Sequence, residues 1–148
     1  MKSENSFKSL FFVLVQFLSL GLIALSGPLY PRATFLLIIE ILGIVLGIWA
    51  VVVMRIGNFN ITPDPFTWTT LVAKGPYELI RHPMYLALLL TTLPLIIDDF
   101  TIFRLGLWLL LLVGLLLKLN YEEGLLTDRL KGYREYMSES WKLIPFLY

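Results

Sequence analysis

The chain has 148 residues, of which 57% are hydrophobic, a larger share than the roughly 45–50% of soluble globular proteins. The net charge of +1 and the absence of a basic stripe exclude nucleic acid as a partner. Because there is no cysteine and only one histidine, disulfides, thiolate metal sites and multi-histidine sites are excluded, and we predict no metal. We expect one domain, residues 1–148, that lies in a membrane.

The first apolar stretch predicts a transmembrane helix over about residues 9–31. Between Lys8 and Arg32 no residue is ionisable, which is enough chain to cross a hydrocarbon core that needs about 20 apolar residues. A cleavable signal peptide is the alternative. It is disfavoured because the apolar stretch is long and residues 27–31 form a poor small-residue cleavage site.

A second span is predicted over residues 33–54, interrupted only by Glu40. It carries Gly43 and Gly47, four residues apart, a spacing that permits close contact between helices. Incidental glycines on a lipid-facing helix are an equally good interpretation of so short a motif.

A helical hairpin is predicted next, with arms over residues 83–98 and 100–118. The arms meet at Asp98 and Asp99, because two adjacent carboxylates are too costly to leave in hydrocarbon. The arms are short for a membrane, so tilt, local thinning or snorkelling of Arg104 is needed to complete the crossing.

The distribution of Lys and Arg predicts the orientation. The N-terminus, the connection 55–82 and the C-terminal tail 119–148, counted with Lys118, hold ten of the twelve basic residues. By the positive-inside rule, both termini and the polar segments are predicted to be cytoplasmic. Glu40 and Arg104 then lie at similar depth in the outer half, and we expect them to pair across helices.

One polar cluster lies where the chain re-enters the membrane, over residues 75–85. Pro63, Pro65 and the Gly75-Pro76 turn make the connection before it too broken for a helix. Pro83 fits the first turn of the third span, which leaves His82 at the N-terminal edge of that helix. An interfacial anchor is the alternative interpretation, because Arg, His and Tyr are common at the ends of membrane helices.

A second polar cluster begins where the fourth span leaves the membrane. Lys118 and Glu122 are four residues apart and so share a helical face. An amphipathic helix is predicted beyond them, from the spacing of Leu126, Leu130, Tyr133 and Met137. A solvated helix end with one ordinary ion pair is the alternative.

The two clusters belong to the two arms of one hairpin, so both lie at the same membrane face and can meet. Their carboxylates and aromatic faces suit a cationic cofactor, while Arg81, His82 and Lys118 suit anionic groups. The chain has no G-x-G-x-x-G motif and no alternating strand–helix pattern, which excludes a soluble-type nucleotide fold.

At these residues the chain resembles the isoprenylcysteine carboxyl methyltransferase and phospholipid N-methyltransferase superfamily of membrane methyltransferases. The family's Gly-x-Tyr and Arg-His-Pro-x-Tyr signatures appear as residues 75–77 and 81–85, and its Glu-Glu pair as 122–123. The later aromatic residues and Ile-Pro of the family are matched by Tyr133, Tyr136 and Ile144-Pro145. The resemblance covers about the last two-thirds of the chain. Ala87 and Lys118 stand where the family often has a glycine and an acceptor-side arginine.

The apolar spans and the tail predict an all-α integral membrane protein of about four transmembrane helices plus a cytoplasmic amphipathic C-terminal helix, and the resemblance implies that it is an enzyme. It would transfer methyl from S-adenosyl-L-methionine, releasing S-adenosylhomocysteine, to a lipophilic acceptor that arrives from the membrane lipids. Carried over, the cofactor residues are Thr69, Thr70, Leu71, Val72, Tyr77, His82, Pro83, Met84, Tyr85 and Glu122. The resemblance implies catalytic roles for Lys118, His82 and Glu123, with Lys118 also binding the acceptor.

Four functions therefore stay open from the sequence. An isoprenylcysteine-like carboxylate is the first acceptor class, and a lipid amine or small thiol is the second. An NADPH-dependent sterol-type reductase is the rival enzyme, although the chain is short and lacks an evident site for a 2′-phosphate. A non-enzymatic membrane scaffold is the last. The sequence leaves the oligomeric state unknown.

Overall fold

The computed structural model describes residues 2–54 and 70–148, with side chains from Phe7 onward. It contains six helices over these ranges. They are α1 (Lys2–Leu25), α2 (Thr34–Met54), α3 (Pro76–Leu79), α4 (Pro83–Asp98), α5 (Ile102–Arg129) and α6 (Tyr133–Glu139). The predicted all-α class is confirmed, and three helices, α1, α2 and α5, are long and apolar enough to span a membrane.

The fourth predicted span is a shorter apolar helix, α4, of 16 residues. At 1.5 Å per residue it is about 24 Å long, less than the roughly 30 Å of a hydrocarbon core. The α5 helix has 28 residues and extends for about 42 Å. Its C-terminal part therefore continues beyond the apolar layer and carries Glu122 and Glu123 with it.

Two helix ends differ from the sequence prediction. The first helix ends at Leu25 rather than near residue 31, because Gly27, Pro28 and Pro31 interrupt helical hydrogen bonding. The fourth helix continues to Arg129 rather than ending near 118, so Leu126 belongs to α5 and Tyr133 and Met137 to α6. A C-terminal helix, α6, is present, but the prediction that one helix runs through Leu126 and Met137 was wrong, since the chain turns at Leu130–Gly132, where Gly132 has φ of 81°.

The helices pack as two pairs, α1 against α5 and α2 against α4, and α4 joins the pairs by contacting α5. The core between them is formed mainly by leucines of α4 and α5, among which Leu111, Leu115 and Leu119 are fully buried. Many large apolar side chains of α1 and α2 are exposed. Such faces are expected to contact lipid. The cytoplasmic placement of the termini stays a prediction.

The end of the hairpin opposite the polar clusters is fixed by its two aspartates. Asp98 accepts hydrogen bonds from the backbone N–H groups of Arg32 (3.0 Å) and Ala33 (3.2 Å), and so joins the end of α4 to the two residues that precede α2. Asp99 pairs with Arg104 at 2.6 Å. The predicted Glu40–Arg104 pair was wrong: within the described residues no ion pair joins them, and Arg104 bonds to its near neighbour Asp99 instead.

The small residues of α2 make the predicted close helix contact, and its partner is α4. A Cβ atom on Gly43 would lie 2.8 Å from both the backbone nitrogen and the hydroxyl oxygen of Thr91. Because one of these two atoms belongs to the backbone of Thr91, α2 and α4 would have to move apart to accommodate a methyl group at position 43.

We therefore expect Gly43→Ala to destabilise the protein by about 1–3 kcal/mol, the usual cost of overpacking. The measurement is thermal unfolding of the detergent-purified protein. Gly21→Ala is the matched control, because nothing lies within 4 Å of the added Cβ. Equal unfolding temperatures for the two variants would contradict this close packing.

Candidate active site

The two polar clusters meet where α3 and the start of α4 face the C-terminal part of α5. Gly75, the residue just before α3, has a φ of 58°, a backbone conformation that favours glycine. Pro76 and Pro83 then occupy the first turns of α3 and α4, where a missing N–H costs nothing. His82 lies between the two helices as the N-cap of α4.

Tyr85 and His82 form an aromatic surface against Glu122. Their rings are stacked, 5.2 Å apart and 3° from parallel. The Tyr85 hydroxyl donates to Glu122 Oε2 at 2.6 Å, and His82 Nδ1 lies 3.9 Å from the same oxygen. Glu122 remains about one-quarter exposed, so its carboxylate is held by Tyr85 and is still reachable by a ligand.

Glu123, by contrast, is a buried centre of contacts within the protein. Its Oε1 accepts from Arg81 Nε at 2.7 Å and lies 3.3 Å from His82 Nε2, and its Oε2 is 3.2 Å from Lys142 Nζ. Because a carboxylate only accepts hydrogen bonds, this contact places a proton on His82 Nε2. Glu123 therefore fixes the orientation of the His82 ring.

Arg81 joins Glu123 to the C-terminal segment. Its guanidinium also donates to the backbone carbonyls of Met137 and Ser140, and its backbone N–H donates to the carbonyl of Trp141 at 2.8 Å. A parallel bridge pairs Ile80 with Trp141. Arg81 was expected to suit an anionic ligand, but its side chain is only 7% exposed and its donors bond within the protein.

Sequence reasoning did not single out Lys142 and Asn120, two residues through which the C-terminal segment joins this site. Lys142 reaches Glu123 and also donates to Asn120 Oδ1 at 2.7 Å. The Tyr136 hydroxyl donates to the carbonyl of Tyr77 at 2.6 Å and so joins α6 to α3. The aromatic spacing before Ile144-Pro145 was the available signal, but it could not show which groups would touch.

The tyrosines around the site are buried. Burial raises the pKa of Tyr77, Tyr133 and Tyr136, that of Tyr136 to about 12, and nearby carboxylates add to the rise in pKa. All three are therefore neutral at physiological pH. Among the described residues the Tyr77 hydroxyl has no hydrogen-bond partner, and such a buried orphan is unusual in a folded protein.

Lys118 lies one helical turn before Glu122 and is 2% exposed. A solvated helix end is therefore the wrong interpretation of this residue. Its ammonium donates to Gln16 Oε1 of α1 at 2.8 Å and lies 5.2 Å from the centre of the Tyr85 ring. Gln16 was not singled out by the sequence, because a lone glutamine in an apolar helix belongs to no motif.

The other predicted site residues are spread around this cluster. Pro83 is buried at the start of α4, and Met84 lines an apolar groove beside the cluster. Thr70, Leu71 and Val72 lie in the irregular segment that leads to α3. Thr69 is outside the described residues.

No protein-family model, no curated protein and no solved structure matches this chain.

The cluster thus presents two kinds of surface. A stacked aromatic pair beside a partly exposed carboxylate, Glu122, is suited to a cation. Lys118 and Gln16, on the membrane side of Tyr85, are suited to a polar or anionic group. A cation and an anionic or polar group could therefore bind on opposite sides of the Tyr85 ring.

Proposed function

We propose that the protein is an S-adenosyl-L-methionine-dependent membrane methyltransferase that acts on a lipophilic acceptor at the cytoplasmic membrane face. The observation that carries the proposal is the placement of Glu122 against the stacked rings of Tyr85 and His82. A carboxylate and aromatic faces together favour a sulfonium cation over a neutral or anionic cofactor.

The residues present fit such a cofactor in a second respect. Tyr77 keeps a buried hydroxyl without a hydrogen-bond partner among the described residues, and burial, followed by the charge of Glu122, raises the pKa of this hydroxyl. A polar ligand beside Glu122 would form a hydrogen bond with the Tyr77 hydroxyl. This bond would remove the free-energy cost of burying that hydroxyl unpaired. Tyr77, His82, Tyr85 and Glu122 are the residues that would hold the cofactor.

When bound, the cofactor supplies a methyl group whose carbon–sulfur bond breaks as a bond to the acceptor forms, leaving a neutral thioether. The protein contributes position and electrostatics, which an in-line displacement needs most. Glu122 would hold the cationic end, and Glu123 keeps His82 oriented through Nε2. Lys118 would hold the acceptor from the opposite side of Tyr85.

The acceptor decides whether a base is needed. A carboxylate, such as that of an isoprenylcysteine-like compound, is already ionised and reacts without proton transfer. A lipid amine or small thiol must lose a proton. His82 is the candidate base. If the proton on its Nε2 is directed at Glu123, Nδ1 of the neutral ring is left to accept the proton of the substrate.

The proposal is tested by thermal unfolding of the purified protein titrated separately with S-adenosylhomocysteine and with NADPH. A ligand that binds only the native state stabilises it, by about 2.7 kcal/mol at one hundred times its Kd. We expect stabilisation by S-adenosylhomocysteine alone. Stabilisation by NADPH alone would replace this function with a reductase, and stabilisation by neither would leave a non-enzymatic scaffold.

A further inference from the structure

Residues 141–148 form a closed turn after α6, which we call the C-terminal turn. The backbone N–H groups of Leu143 and Ile144 both donate to the carbonyl oxygen of Tyr148, at 2.8 Å each. Within this turn Phe146 has φ of 65°, and among the described residues it is the only one other than glycine with a positive φ. Such a conformation is unfavourable for a residue with a side chain, so the turn holds Phe146 in place against a local cost.

The outer surface of the C-terminal turn is apolar. Phe146 and Leu147 are 81% and 75% exposed. The ring of Phe146 lies 5.7 Å from that of Trp141, which is itself more than one-third exposed. These three residues form one patch, the apolar patch, and water is a poor environment for it.

Backbone hydrogen bonds fix the C-terminal turn beside the start of α4. The N–H of Arg81 donates to the carbonyl of Trp141 at 2.8 Å, and the N–H of His82 donates to that of Lys142 at 3.2 Å. Both donors immediately precede Pro83, the first residue of α4. The turn therefore lies at the same depth in the membrane as the first residues of that helix.

The length of α4 places this depth at the edge of the hydrocarbon. Asp98 and Asp99 at the other end of α4 are too costly to enter the apolar layer, so that end lies at the opposite membrane surface. The 16 residues of α4 extend for about 24 Å, roughly 6 Å less than a 30 Å hydrocarbon core. The start of α4 and the turn bonded to it therefore fall short of the water.

The surface of α6 shows where water begins. The exposed side chains of α6 are polar or charged: Arg134, Glu135, Ser138 and Glu139. The exposed surface changes from polar to apolar between Glu139 and Trp141, and tryptophan is enriched at the boundary between membrane and water.

We propose that the C-terminal turn is inserted into the interfacial layer of the bilayer, with Phe146 and Leu147 among the lipid acyl chains and Trp141 at the level of the head groups. Contact with lipid then offsets the cost of the Phe146 backbone. The same turn carries Lys142, which reaches Glu123, so the bilayer holds one wall of the candidate site in place.

The test uses nitroxide labels on single cysteines, since the natural chain has none. In phosphatidylcholine nanodiscs, paramagnetic resonance measures collisions of each label with oxygen, which concentrates in lipid, and with a nickel chelate, which stays in water. A label at Leu147→Cys should collide with the nickel chelate about tenfold less than one at Arg134→Cys, because burial of one large apolar side chain favours the inserted position by that factor or more. Val45→Cys, at an exposed position of α2, gives the value for a label in lipid. Equal nickel collisions at positions 147 and 134 would overturn the proposal.

A second substitution shows whether the protein, and not the label, enters the membrane. Phe146→Asp should raise the nickel collisions of the label at position 147 to the level of position 134, because a carboxylate is costly in the apolar layer. Ser138→Asp, at an exposed residue of α6, is the matched control and should change nothing. A label that stays protected in the Phe146→Asp variant would show that Phe146 does not hold the turn in the bilayer.

Discussion

Replacing Glu122 by alanine should strongly weaken binding of S-adenosyl-L-methionine while the protein still folds. The change removes the carboxylate and also releases the Tyr85 hydroxyl, which donates to it at 2.6 Å. Charge-assisted hydrogen bonds contribute about 1.5–3 kcal/mol each, so the loss of one should lower the affinity by roughly ten- to a hundredfold. Isothermal titration of the purified protein measures the loss. Asp128→Ala is the matched control, since Asp128 is an exposed carboxylate on the same helix.

The same titration separates the roles of Glu122 and Lys118. Lys118→Ala should keep S-adenosyl-L-methionine binding and impair use of the acceptor, because Lys118 faces the groove whereas Glu122 faces the rings of Tyr85 and His82. If both alanine variants lose the cofactor equally, this division of roles is wrong.

Arg81→Met should be the most destabilising substitution at the site, by about 3–5 kcal/mol. Arg81 and Glu123 are 7% and 6% exposed and lie 2.7 Å apart, so removing the guanidinium leaves a buried carboxylate short of its strongest partner. Because Lys142 stays beside Glu123 and still compensates part of its charge, we expect a loss of stability near 3 kcal/mol, the lower end of about 3–5 kcal/mol. The unfolding temperature should fall by roughly 6–20 °C.

Two further variants show whether the buried pair causes the loss. Arg134→Met, at an exposed arginine of α6, should leave the unfolding temperature unchanged. Adding Glu123→Leu to Arg81→Met should restore part of the stability, because a well-packed apolar pair avoids the uncompensated charge. Unfolding of Arg81→Met at the wild-type temperature would show that the pair contributes nothing.

Hydropathy predicted the helices well where apolar runs have clear ends. The bounds of α2 and α4 came within a residue of the prediction, because charged or turn-forming residues flank both. The end of α5 was missed since Lys118, Glu122 and Glu123 mark the exit from the membrane but not the end of a helix. Nothing breaks the helix until the Gly132 turn, and a helix can continue into water.

For the site, the hairpin topology was enough to predict that the two clusters meet, but not which groups would bond. Arg104 was matched to Glu40 by depth alone, while Asp99, five residues before it, was the nearer carboxylate. The Gln16–Lys118 contact joins residues 102 positions apart. Such a contact depends on the rotation of α1 about its own axis, which an apolar sequence leaves almost undetermined.

The hydrogen bonds that Asp98 accepts just before α2 form late in the synthesis of the chain. Their donors, the backbone N–H groups of Arg32 and Ala33, lie 66 and 65 positions before Asp98. At 5–20 residues per second, a ribosome needs roughly 3–13 s to add that length of chain. During that interval the two residues just before α2 have no such acceptor. Their contact with the end of α4 therefore forms only after Asp98 has been synthesised.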